Sequence, residues 1–145
     1  MNRYAELRQR QQTEFNALPL GFAFSGKQFQ EMMAGWGLDP DRDTDKIYSI
    51  GYGGYVQKKD AELLHQTRQR HDEELDAAIA EDKTGDGFIR EMFLYELNNH
   101  EYSYTGDTEE ALDALGYTAD EVLNDPRLKR GLEMAVTEIR KNVGD

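Results

Sequence analysis

Phe88, Ile89, Met92, Phe93, Leu94, Tyr95 and Leu97 fall on nearly every side of one short helix. A surface helix carries a single apolar stripe, so this one is expected at the centre of the core. The other helical stretches are more one-sided. Asn2 to about Asn16 is expected to be a helix with only Tyr4, Leu7 and Phe15 as apolar positions, which makes residues 1–20 a candidate peripheral element of the domain. Ser25 with Gln28 three residues on reads as a capping box, ahead of Phe29, Met32, Met33 and Trp36, and Gly37 is a natural C-cap. From Asp60 to Glu81, Leu64, Leu75 and Ala78 or Ile79 recur at helical spacing, with Arg68 and His71 interrupting the seam. Thr108 to Leu115 is a short helix closed by Gly116, and Thr118 with Glu121 gives a second capping box. Asp125-Pro126 opens a last helix carrying Leu128, Leu132, Ala135, Val136, Ile139 and Val143.

Extended structure is sparse. Leu18 to Ser25 reads as extended, and the β-prone runs Lys46–Ile50 and Tyr55–Gln57 flank Gly51-Tyr-Gly-Gly54 as a hairpin would. The fold class predicted is mainly α (α+β): one helical domain over residues 1–145 with one small hairpin. At this size about two-thirds of the unfolded chain's surface is buried on folding, enough for a core without staples.

Composition removes several chemistries. There is no cysteine, which excludes disulfides, thiol catalysis and cysteine-ligated zinc and fits a reducing cytoplasm. No stretch approaches the roughly 18 apolar residues of a membrane span, so a cytoplasmic protein with no membrane partner is expected.

The net charge of -12 is regional. From Asp72 to Asp125 there are 17 acidic residues against Lys83 and Arg90, a net of -15; the rest holds 12 acidic and 15 basic residues. A single-sign field of this kind costs self-repulsion and steers partners of opposite sign. The candidate partner-binding residues are Asp72, Glu73, Asp76, Glu109, Glu110, Asp113, Asp120 and Glu121.

Candidate chemistry is thinner. Asp82, Thr84 and Asp86 with Gly87 match the first half of a calcium loop, but the twelfth position is Phe93 where a bidentate Glu should close the shell. The favoured reading is a turn that caps the central helix, with no metal or other cofactor. Asp39 to Asp45 reads as a solvated turn. His65 and His71 lie about 240° apart around a helix and cannot share an ion. His100 with Glu101, beside Asn98, Asn99, Tyr102 and Tyr104, is the best acid-base candidate. His and Asn also gather at helix C-termini for capping, which is favoured here.

The runs Gly21-Phe-Ala-Phe-Ser25, Asp45 to Gly54, Glu91 to Tyr102 and Tyr104-Thr-Gly-Asp107 resemble small acidic proteins encoded by phages and mobile elements of gut bacteria. The resemblance spans Gly21 to about Met134 and implies no catalytic residue. It implies a setting in which small acidic proteins, anti-CRISPR proteins and DNA mimics among them, block host nucleic-acid enzymes. The expected function is therefore a non-enzymatic inhibitor that occupies a basic nucleic-acid-binding surface of a host protein, a CRISPR effector being one case, without itself binding nucleic acid. The alternative is a small enzyme acting on a nucleotide or nucleic acid, with His100 and Glu101 as acid-base pair. Neither reading fixes an oligomeric state.

Overall fold

The computed structural model describes residues 1–143. Helices α1 (Arg3–Asn16), α2 (Gly26–Gly35), α3 (Ala61–Glu81), α4 (Phe88–Asn99), α5 (Tyr102–Thr105), α6 (Glu109–Leu115), α7 (Ala119–Asn124) and α8 (Pro126–Asn142) dominate it, with strands β1 (Leu20–Phe22), β2 (Ile47–Gly51) and β3 (Gly54–Gln57). The chain is mainly helical with a small β part. It divides into two compact units, residues 11–72 and residues 1–10 with 73 onward, and the divisions fall inside α1 and α3.

The unit holding α4 to α8 is built around α4. Ile89, Met92, Phe93 and Leu97 are completely buried, joined by Ala111 and Leu112 of α6, Val122 of α7, Ala135 and Ile139 of α8, and Tyr4 of α1. Each large side chain so buried contributes about 1.5–3 kcal/mol. Gly131 lets α8 approach closely: a Cβ there would lie 2.5 Å from Ile89 Cγ2 and 2.8 Å from the Gly85 carbonyl. Helix ends follow the sequence signals. Thr118 and Glu121 make both bonds of a capping box, and Asp125 accepts from Arg127 N and Leu128 N ahead of Pro126. The aromatic stretch after α4 forms a single helical turn, α5, which Gly106 ends in the left-handed conformation.

The other unit packs α2 on a three-stranded antiparallel sheet of order β1-β3-β2. The hairpin appears as expected, and Leu20–Phe22 joins β3 as a third strand. Its connection is tighter than the four residues read from sequence. Tyr52 and Gly53 alone form the turn, both with positive φ (52° and 75°), the arrangement of the hairpin turn that matches strand twist. Ser25 caps α2 by accepting from Gln28 N. Leu38 N and Gly37 N donate to Met33 O and Ala34 O, so Gly37 closes the helix as a Schellman motif. The two polar residues on the α3 seam are occupied: His71 Nε2 lies 3.0 Å from Glu14 Oε2, and the Arg68 guanidinium sits 5.9 Å from the Phe15 ring.

The loop between α3 and α4 is the one that resembles half a calcium site. Asp82 Oδ1 accepts from Thr84 N and Gly85 N, and Oδ2 accepts from Gly87 N and Ile89 N at 3.0 Å each. The Asp82 carboxylate thus supplies from five and seven residues upstream the cap that Gly87, at the N-cap position, lacks. Partial burial pushes its pKa up, but the four N–H donors outweigh this and hold it below the ordinary carboxylate range. Arg127 closes the other side, donating to the carbonyls of Ile79 and Asp82. Asp82→Ala should cost about 1–3 kcal/mol in urea denaturation, because several buried N–H groups lose their acceptor. Millimolar calcium should leave the wild-type melting temperature at its value in sodium chloride of equal ionic strength. A calcium-specific rise that Asp82→Ala abolishes would reassign the loop as an ion site.

Candidate functional site

All eight carboxylates nominated from the sequence are exposed. Asp72 belongs to the sheet-bearing unit, and the other seven belong to the α4 unit. Glu109, Glu110 and Asp113 lie on α6, Asp120 and Glu121 on α7, and Glu73 and Asp76 on α3. Some of them converge. Burial raises the half-buried Tyr117 phenol above its ordinary value, and the nearby carboxylates of Asp76, Asp125 and Glu121 raise it further against the opposing charge of Arg127. A residue from α3 and one from α7 therefore act on the same phenol at the α6–α7 corner.

Other acidic residues of the same region face inward, and the sequence reading missed them. Glu91 is buried on α4 and accepts from Arg3 N (3.0 Å), Arg3 Nε (2.8 Å) and Arg3 Nη2 (2.5 Å). Burial pushes its pKa up, and the Arg3 bonds and charge bring it below the usual range. Glu96, also buried, accepts from the Tyr4 hydroxyl at 2.8 Å. Burial first, and then this carboxylate, drive the Tyr4 phenol well above its ordinary value. Asn2 Nδ2 adds a bond to the Glu91 carbonyl. The available signal was the presence of two carboxylates in a helix whose other positions were nearly all core. Nothing local indicated that residues 2–4 answer them.

His100 ends α4, and its backbone N–H bonds the Glu96 carbonyl. Its ring does not cap helix carbonyls. Nε2 lies 3.5 Å from Glu96 and Nδ1 3.6 Å from Glu110, so the imidazole sits between one buried and one exposed carboxylate. Glu101 is an exposed residue at left-handed φ (59°) that starts α5, and the carboxylates beside the ring are those of Glu96 and Glu110 instead. A cleft of about 820 Å³ runs along α4 and α8 past Arg90, Arg130, Met134 and Lys141; a second of about 220 Å³ lies in the other unit beside Phe15, Leu18, Leu20 and Phe22. Neither is lined by His100 or Glu101. Among the described residues, no group of three or more His, Asp or Glu side chains is arranged to hold a metal ion. Asp86 is engaged by the Thr84 hydroxyl and by Arg130. No helix among the described residues is long and apolar enough to cross a membrane.

The Arg3–Glu91 pair makes a pH prediction. Because the folded pKa of Glu91 is depressed, its contribution is fully present above the unfolded value near ~4.3 and is lost as pH falls through the folded value. Arg3→Ala leaves a buried carboxylate short of donors and should cost about 1–3 kcal/mol at pH 7. The variant should also acid-unfold at higher pH than the wild type. Circular dichroism from pH 7 to 2 would show this as a shifted midpoint; coincident curves would mean that Arg3 is bystander chemistry.

No curated protein and no solved structure matches the chain. A family of unknown function, DUF7659, matches residues 3–138, which takes in every element from α1 through most of α8. By that match the chain belongs to the DUF7659 family.

Proposed function

We propose that the α4 unit is a non-enzymatic docking module whose exposed carboxylates engage a basic, nucleic-acid-binding surface of another protein. The observation that carries this is the exposure of Asp76, Glu109, Glu110, Asp113, Asp120 and Glu121 on α3, α6 and α7 within one compact unit. Carboxylates fixed on short capped helices can compete with phosphates for the same lysine and arginine side chains. Tyr117, half-buried among them, offers an aromatic ring to an incoming guanidinium. The target class fits the resemblance to acidic proteins of phages and mobile elements, and on that reading the chain acts as an inhibitor of a host defence enzyme such as a CRISPR effector. The alternative acid-base role of His100 and Glu101 has less support, because neither cleft described above is lined by them.

Capture from a host lysate, with mass spectrometry of retained proteins, identifies the partner; charge reversal then tests the surface. Asp76→Lys with Glu121→Lys, and separately Glu109→Lys with Glu110→Lys, should each weaken binding at least about tenfold at 50 mM salt, in line with coupling energies of close charge pairs. The difference should shrink in high salt. Glu121 also closes the α7 capping box, so circular dichroism must show each variant folded. Arg130→Glu on α8 should leave affinity unchanged. Full affinity in both folded double variants, with no competition by DNA, would defeat the proposal.

A further inference from the structure

The two edges of the small sheet differ. β1 is blunted in the ways edge strands usually are: it has three residues, and Pro19 stands directly before it. β2 forms the other edge, with β3 between them. Ile47, Tyr48 and Ser49 pair in regular register with Gln57, Val56 and Tyr55, and the one irregularity falls after Ser49, beside the turn. In an antiparallel pair only alternate residues exchange bonds across the ladder, so the others turn their N–H and C=O groups away from β3. Among the described residues, no hydrogen bond from elsewhere in the chain reaches the outward groups of β2.

An open edge is ordinarily guarded by a charged side chain or a proline, and β2 has neither. Residues 47–57, the whole hairpin, carry no charged side chain in a chain of net charge -12. Two copies of so acidic a chain repel each other over most of their surface, and the hairpin is a place where that repulsion has no local source. We infer that β2 pairs edge to edge with β2 of a second copy, antiparallel about a two-fold axis, so that the two sheets become one. A row of outward N–H and C=O groups is met in full only by another extended backbone. An identical uncharged edge supplies it without a charge to be answered. The two-fold contact uses the same edge on both copies and leaves only the blunted β1 edges outside, so assembly stops at the dimer. Tyr48, 50% exposed in the single chain, gains cross-strand neighbours from the other copy.

The test uses the whole chain and no other protein, so its outcome is independent of carboxylate docking by the α4 unit. Sedimentation equilibrium from about 10 to 500 µM should show a monomer–dimer equilibrium, weak because so short an edge buries little area. Salt of about 150 mM screens the distant charges of the two copies. Whether the two-fold passes through Tyr48 or Ser49, the two Ser49 side chains lie on one side of the joined sheet, diagonal or directly opposite. Ser49 is exposed, so Ser49→Lys and Ser49→Glu should each keep the monomer's circular dichroism. Each should weaken association roughly threefold to fivefold, because like charges then meet across the new ladder. An equimolar mixture of the two variants should associate at least about fivefold more tightly than either alone, a rescue that a misfolded variant could not give. Wild-type chain that stays monomeric at every concentration, a dimer that both substitutions leave unchanged, or a mixture no more associated than its components would overturn the inference.

Discussion

The α4 unit depends on how two carboxylates are tolerated on the buried side of its central helix. A charge removed from water is strongly unfavourable unless donors surround it, and Glu91 and Glu96 stand among residues with no solvent contact. Their donors come from the start of α1, about ninety positions away in sequence: Arg3 at Glu91 and Tyr4 at Glu96, with Asn2 bonding the Glu91 main-chain carbonyl. The chain's beginning is thereby fixed against its central helix by directional bonds, and the Tyr4 ring adds edge-on contacts with Phe88 and Tyr95. An apolar pair would pack as well and set the register of α1 on α4 less sharply. The gain is orientation more than net stability.

This constraint divides the acidity of residues 72–125 into two populations. Asp82, Glu91, Glu96 and Asp125 spend their charge on N–H groups, a guanidinium or a phenol within the fold. Glu109, Asp113 and Asp120 face water on helices too short to be held by propensity alone. What keeps α6 and α7 in place is Ala111, Leu112 and Val122 beneath them, with the capping box and Gly116 at their ends. The outward carboxylates therefore rest on a rigid apolar base, a property that an electrostatic mimic needs and a disordered acidic tail lacks.

Local chemistry was legible. Ser25, Thr118 with Glu121, and Asp125-Pro126 each start a helix where the sequence places one, because a cap is decided within four residues. Non-local pairing was not. Leu20–Phe22 gives no sign that it will pair with β3 more than thirty residues on, and the Asn2–Tyr4 anchor answers carboxylates that can be recognised as buried only once α4 is known to be central. The half calcium loop was read correctly as capping, though the capping residue is Asp82 across seven positions and not a residue at the N-cap. The exposure of the nominated carboxylates had to come from three dimensions, as did the place of the His100 ring between two of them.

Natural sequences agree with their folds at nearly every level, and where one level disagrees the cause is more often function than accident. In this chain the caps, the Schellman turns and the core pattern all agree with the structure. Among the described residues the non-glycine positive-φ positions are two, Tyr52 and Glu101. Glu101 has a structural reason: it links α4 to α5 as the N-cap residue, and its carbonyl accepts from Tyr104 N and Thr105 N. Tyr52 has no such reason, since Asn or Gly would make the same turn at lower cost and its ring packs on nothing. The neighbouring exposed rings make an isolated accident a poor account. Phe24 covers Gly53 at the turn, and Phe22 lies beside the side-chain-free Gly54, so the hairpin end presents aromatic surface backed by close-packed backbone. Rings on a close-packed support lose little conformational freedom when they are covered, so exposed aromatic surface of this kind costs less to dock than the same rings on a loop.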